Sequence, residues 1–214
     1  MSFELWLFSI KRFAQTMDAA MLIYEALSDE AKADLQKEYK EFLGEDASEE
    51  SAPDITLRSF SDKDLSKMVK VWNEVVEEGI SFPQEEAINI FTAKELFKSQ
   101  SYTCVAECDK KIVGIYILHP NNVGRCGHIC NASFAVSSEY RGKHIGEALV
   151  KDCIAKAKEL GFKILQFNAV VESNAAARHL YEKLGFVRIG TIPGGFRMKD
   201  GSYENICPYY YTIE

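Results

Sequence analysis

The chain has 214 residues, 47% of them hydrophobic and 27% charged, with a formal net charge of −7; these are the proportions of a soluble globular protein. An acidic balance disfavours duplex nucleic acid, whose binding rests on neutralising phosphates, so no nucleic-acid partner is expected. No apolar run approaches the roughly 20 residues of a membrane span, and the apolar start is interrupted by Glu4 with no basic cluster before it, a poor signal peptide. The expected setting is therefore cytoplasmic, with no membrane partner.

In chain order, Phe3, Trp6, Ile10, Phe13, Met17, Ala20, Tyr24 and Leu27 recur at steps of three and four, which predicts a helical seam. Ser28 and Asp29 offer an N-cap for a second helix, with Leu35, Tyr39, Phe42 and Leu43 on its buried side. Residues 45–53 are small and acidic and read as a linker. The division expected is 1–53 as a helical hairpin and linker, and 54–214 as the main domain. The first part holds 5 Lys+Arg against 12 Asp+Glu, and the second 20 of each. The seam is too apolar to face water, so it packs on the main domain or on a second subunit, which leaves a homodimer possible.

From residue 54 the pattern predicts a strand at 55–59, helices at 62–78 and 85–98, and strands at 102–108 and 111–118 around a tight Asp109-Lys110 turn. A strand at 128–136, a helix at 145–160 stopped by Gly161, and a strand at 163–170 follow. A helix at 174–184 stopped by Gly185 and strands at 187–192 and 203–212 complete the order. A strand–helix–strand passage at 128–170 implies a right-handed parallel crossover, while the neighbouring hairpins imply antiparallel pairs. The fold class expected is α+β: a mixed sheet flanked by helices on both faces.

Six cysteines, at 104, 108, 126, 130, 153 and 207, read as small buried residues in a reducing compartment. The Cys126-Gly-His128-Ile-Cys130 spacing fits no common zinc module, so no metal is expected.

Chemistry concentrates in Phe134-Ala-Val-Ser-Ser-Glu-Tyr-Arg141-Gly142-Lys143-His144-Ile145-Gly146. Here a buried strand turns directly into a helix whose first amides lack intrahelical partners and whose dipole adds positive character, a cradle for a pyrophosphate. Gly146 would let an anion approach the backbone, and Arg141 and Lys143 add charge. A second block, Asn174-Ala-Ala-Ala-Arg-His-Leu-Tyr181-Glu-Lys-Leu-Gly185-Phe186, follows at a fixed distance.

Together these two blocks resemble the GNAT acetyltransferase superfamily over residues 54–214. Arg141-x-x-His144-x-Gly146 is similar to its R/Q-x-x-G-x-G/A coenzyme A motif, and residues 174–186 to its N-x-x-A-x-x-L-Y-x-x-x-G-F block. The resemblance implies a centrally splayed sheet and acetyl-CoA as co-substrate. It also implies that Ala135 and Val136 offer backbone groups to the pantetheine arm, with residues 141–146 on the pyrophosphate and Asn174 on the pantetheine. Tyr181 matches the position of the acid that serves the departing thiolate; its plainer alternative is a packing residue. His144 stands where the family places a glycine, which is acceptable if that position is already helical with the side chain outward; if the side chain instead points at the phosphates, its protonation would assist binding.

The reaction implied is direct acetyl transfer to an amine. Glu107, His128 and Glu172 are candidates by residue type for the base, as is a water relay. Asn131 and Ser133 share one strand face, as do Gln166 and Asn168. Asn131 and Asn168 are therefore expected either to line the acceptor pocket or to satisfy each other inside the sheet. The segments around them, and 71–83, are similar to GNAT enzymes acting on small amino-acid-like amines. A protein or peptide N-acetyltransferase is the alternative within the class. A catalytically silent acetyl-CoA-binding module is the alternative outside it, against which Tyr181 and Asn174 speak.

Overall fold

The computed structural model describes residues 3–9, 14, 16–43 and 53–214. The chain divides into two compact units, Met1–Glu49 and Glu50–Glu214. In the first, the predicted continuous seam is two helices, α1 (Phe3–Ser9) and α2 (Met17–Glu25), followed by α3 (Asp29–Leu43). The helix is restarted at Thr16, whose extended backbone and side-chain acceptor for the Ala19 amide (3.2 Å) make it an N-cap. A cap of this kind overrides an unbroken apolar periodicity. The seam positions Ile10 and Phe13 lie outside the described residues. Ser28 caps α3 through the Ala31 amide at 3.3 Å. Phe3 packs edge-on against Tyr24 (4.9 Å) and Tyr39 (5.1 Å), and Trp6 lies 5.5 Å from Tyr39.

The second unit is a mixed eight-stranded sheet: β1 (Thr56–Ser59), β2 (Tyr102–Cys108), β3 (Lys111–Pro120), β4 (Ile129–Val136), β5 (Ile164–Val171), β6 (Val187–Arg188), β7 (Ile192–Arg197) and β8 (Tyr203–Thr212). Its order is β1-β2-β3-β4-β5-β8-β6, with β7 also on β8. Only β4 and β5 run parallel. Helices α4 (Leu65–Glu78) and α5 (Ile90–Lys98) cover one face, and α6 (Ile145–Glu159) and α7 (Ala175–Lys183) the other.

The sequence pattern accounts for most boundaries. Asp109 and Lys110 both have positive φ (47° and 64°), the backbone that a two-residue hairpin turn requires. Leu65, Met68, Trp72, Val75 and Val76 bury one stripe of α4 against Ile115, Ile117 and Ala135. Two expectations are corrected. Helix α5 begins at Ile90 rather than 85, because Asn89 is its cap, accepting from Phe91 N (2.9 Å) and Thr92 N (3.0 Å). The strand expected at 187–192 shrinks to two residues, and β7 forms over Ile192–Arg197, where no element is expected from 193 to 202. At Gly195 a Cβ would meet Ile206 Cγ1 at 2.5 Å, so only glycine lets β7 lie this close to β8.

Candidate active site

The sheet opens at its centre. β4 and β5 share two rungs, Ile129↔Ile164 and Cys130↔Leu165, and no more. Beyond them β4 stays with β3 as far as Gly114↔Val136, while β5 follows β8. Ile129 O accepts from Asn121 N and Ser137 N donates to Val113 O, so odd-numbered residues of β4 turn their backbone groups toward β3. Ala132, Phe134 and Val136 consequently turn theirs toward the opening. Of the two residues expected to serve a pantetheine arm, Val136 faces the opening, whereas Ala135 pairs with Ile115 and is fully buried under α4.

At the wide end of the opening the chain passes through a 3₁₀ turn, Ser138–Tyr140, into α6. Glu74 of α4 caps that turn, accepting from Ser138 N at 2.8 Å. Gly142 and His144 have φ of 74° and 59°, with Lys143 between them on the ordinary side. Positive and negative φ in alternation, directly ahead of a helix N-terminus, is the backbone pattern from which an anion nest is built. His144 is thus left-handed rather than helical, contrary to the condition under which a non-glycine was expected there. Histidine is among the side chains that enter this region most readily. Its imidazole is outward, 3.7 Å from Glu147.

The charged groups of the loop are engaged. Arg141 donates to Val136 O (3.3 Å from Nε) and pairs with Glu78 at 2.8 Å. Lys143 lies over the Tyr140 ring at 5.1 Å. Glu147, in the first turn of α6, would oppose an anion, but Lys151 (2.6 Å) and Lys183 (3.0 Å) hold it. Those two ammonium groups bring its carboxyl down to about 2. Gly146 has room beside it: a Cβ would meet Leu180 at 3.6 Å, an ordinary contact.

Asn174 is the N-cap of α7. Its Oδ1 accepts from Ala177 N (3.1 Å) and its Nδ2 donates to Ser81 Oγ (3.1 Å), tying α7 to the loop between α4 and α5. Tyr181 sits in an aromatic cluster with Phe167 (4.5 Å), Phe186 (5.6 Å) and Tyr209 (6.1 Å). Burial pushes its phenol up, so the group stays protonated, and none of the described residues hydrogen-bonds its hydroxyl. Phe134 reaches Phe167 edge-on at 5.8 Å, so the cluster spans the opening.

On the α4/α5 face, Asn131 and Ser133 of β4 stand beside Gln166 and Asn168 of β5. Asn131 and Asn168 do not bond each other. Asn131 Oδ1 accepts from Ala132 N at 2.8 Å, satisfying an amide that faces the opening. Asn168 exchanges two hydrogen bonds with Asn121 (2.7 and 3.2 Å) and accepts from Gln166 at 2.9 Å. Sequence reasoning missed Asn121, because it lies in the β3–β4 turn 47 residues from its partner.

None of the three candidate bases lies on this face of the opening. Glu107 is on β2 in a network with Arg58, 2.6 Å away, and Asp64. His128 precedes the closed end of β4, where its carbonyl accepts from Lys163 N at 2.9 Å. Glu172 accepts from Asn205 at 2.7 Å and pairs with Arg188 at 3.0 Å. The Asn205 bond, then Arg188, hold its carboxyl below the usual value, which makes it a weak base. Among the described residues no group of three His, Cys, Asp or Glu is placed to hold a metal ion. No described helix is long and apolar enough to cross a membrane.

Residues 67–186 match the profile of the Acetyltransferase (GNAT) family. The chain is 40% identical over 100 residues to N-acetyltransferase aca1 of Schizosaccharomyces pombe, covering 47% of each chain. It is 36% identical over 85 residues to Protein SPT10 of Saccharomyces cerevisiae, covering 40% of this chain and 13% of that protein. The chain thus spans about half the length, or less, of these two relatives. Among solved structures, a GCN5-related N-acetyltransferase from Kribbella flavida superposes with a TM-score of 0.69 at 31% identity, over 74% of this chain and 98% of that one.

Proposed function

The chain belongs to the GNAT acetyltransferase family, and on that premise we propose that it transfers the acetyl group of acetyl-CoA directly to the amine of a small amino-acid-like molecule. The transferase is carried by residues 54–214, with 1–53 an appendage. The observation that carries this reading is the pairing of two unlike surfaces at one opening. The anion nest and α6 N-terminus lie at its wide end, and the uncharged polar patch of Asn131, Ser133, Gln166 and Asn168 flanks its narrow end.

The geometry supports the following roles. Residues 141–146 receive the pyrophosphate on backbone amides, and Val136 hydrogen-bonds the pantetheine from the exposed edge of β4. Val136 and Asn131 are five residues apart, about 17 Å of strand at roughly 3.4 Å per residue, so an extended arm running from the nest ends beside the polar patch. Asn174 acts by fixing α7, which aims Tyr181. The phenol donates a hydrogen bond to the departing thiolate, whose ordinary pKa is about 8.5. Asn131 and Asn168 orient the acceptor through amides that both donate and accept without adding charge.

The test is a screen of free amino acids, imino acids, polyamines and N-terminal peptides with acetyl-CoA, read by thiol release and by mass of the product. The expected result is acetylation of a free amino- or imino-acid-like amine. Acetylation confined to peptides would overturn the acceptor class, and cofactor binding without amine-dependent thiol release would overturn the transferase reading.

A further inference from the structure

An ammonium acceptor must lose a proton before it can attack, and the three carboxylate and imidazole groups considered above all lie away from the acceptor face. Two titratable side chains stand on its face of the sheet, the phenol of Tyr210, which pairs with Gln166, and the imidazole of His119, which pairs with Asn131; of the two, an imidazole is the usual general base. We propose that His119 is the base that deprotonates the acceptor, an inference that rests on the acetyl-transfer reading above.

The argument starts from register. His119 is the cross-strand partner of Asn131, and Asn131 is the first residue of β4 past the last rung shared with β5. Hydrogen-bonded antiparallel partners have Cα atoms about 5.5 Å apart, which puts His119 one strand from the narrow end of the opening. Its face follows from alternation. Ile115 and Ile117 point into the cluster beneath α4 and α5, so His119 shares their side of the sheet with Asn131 and Ser133. The cover formed by that cluster stops at Ile117, and His119 is half-buried at its rim.

The ring's protonation pattern is also fixed by its neighbour. Nδ1 lies 3.0 Å from the Pro120 carbonyl oxygen. A carbonyl can only accept, so Nδ1 carries the hydrogen and the neutral ring keeps its lone pair on Nε2. None of the described residues donates to Nε2. A side chain held at one nitrogen and open at the other, on a polar face, has the form of a positioned general base.

The step balances as follows. Nε2 takes one proton from the acceptor ammonium, directly or through one water, and the neutral amine attacks the thioester carbonyl. The new C–N bond forms and the C–S bond breaks. The second amine proton passes to the thiolate as free thiol forms, aided by the Tyr181 hydroxyl, and the imidazolium returns its proton to solvent. One amide, one thiol and one proton result from one ammonium and one thioester.

The experiment compares His119→Asn and His119→Ala in the full chain with the native protein, using the acceptor found in the screen. Asn keeps a side-chain donor near the Nδ1 position for Pro120 O but has no basic nitrogen. Both variants should lose about 10²-fold in kcat, with acceptor KM, acetyl-CoA affinity by calorimetry and melting temperature within twofold or 2 °C of native. Native turnover in His119→Asn would defeat the proposal and leave a positioning role through Pro120. A loss confined to KM, cofactor affinity or melting temperature would defeat it as well. A native protein that acetylates no amine instead overturns the underlying reading, so the two failures are distinguishable.

Discussion

The two sides of the opening are built from different materials. The proposed cofactor side is six consecutive residues, 141–146, and the groups it offers are backbone amides set by two positive-φ residues and a helix start. The proposed acceptor side is assembled from side chains on β3, β4, β5 and the β3–β4 turn, brought together only by the sheet. A site made of backbone tolerates changes of side chain and responds to changes of shape. A site made of side chains responds to single functional groups. Substitutions at four positions, beginning with the one between the two sides, can break or sharpen that contrast.

Tyr181→Phe removes one hydroxyl and keeps the ring against Phe167 and Phe186. Turnover should fall by around 10²-fold with acetyl-CoA affinity unchanged in calorimetry. A fully active variant would return Tyr181 to the packing of the aromatic cluster.

On the cofactor side, Gly146→Val should weaken acetyl-CoA binding by more than tenfold, about 1.4 kcal/mol. Because a lone Cβ there meets only Leu180 at 3.6 Å, Gly146→Ala should stay within about threefold. Equal affinities for Val, Ala and Gly, with the fold intact, would dissociate this turn from the phosphates.

On the acceptor side, Asn168→Ala unpairs Asn121 and Gln166 and should raise acceptor KM about fivefold, near 1 kcal/mol, while sparing cofactor affinity. A lower melting temperature with native kinetics would make the amide cluster a staple between the turn and β5.

The smallest effect expected is at Glu147, whose removal leaves Lys151 and Lys183 uncommitted beside the nest. Glu147→Gln should tighten acetyl-CoA binding two- to threefold at low salt, and less at 0.5 M salt. Its folded-state pKa is depressed to about 2, so its contribution to stability is present above the unfolded value near 4.5 and is lost as pH falls toward 2. The variant's melting temperature should therefore lie below native at pH 7 and converge with it at the acid end of that window.

The same contrast explains what the sequence made legible. The nest and α6 were readable because strand, turn and helix follow without interruption, and the 174–186 block because a cap, an apolar stripe and a terminal glycine follow at helical spacing. The sharing of a face by Asn131 and Ser133 was readable from alternation alone. Which partner each asparagine takes was not, since Asn121 comes from a turn whose position depends on the β3–β4 register. His119 escaped notice for a related reason: β3 runs two residues past the expected end at 118, and a histidine assigned to no element has no face. The left-handed backbone at His144 was hidden because the glycine that usually signals it is replaced. Strand β7 was lost to Pro193-Gly194-Gly195, where close approach to Ile206, a long-range fact, is what requires glycine.

A sheet whose halves meet through two rungs behaves mechanically as a hinge. The strands β1 to β4 form one leaf, and β5 with β8, β6 and β7 the other. The two rungs fix where the leaves touch; how far they open is set by the Asn121–Asn168 and Asn174–Ser81 hydrogen bonds across the gap and by side-chain volume, chiefly Phe134 against Phe167 and the α6 residues Ile145, Leu149 and Cys153 behind them. The opening angle is therefore in part a packing variable: trimming this wedge changes the width of the slot without altering the register of any strand, so in the proposed site the size of acyl group admitted would drift through substitutions that never touch a polar residue.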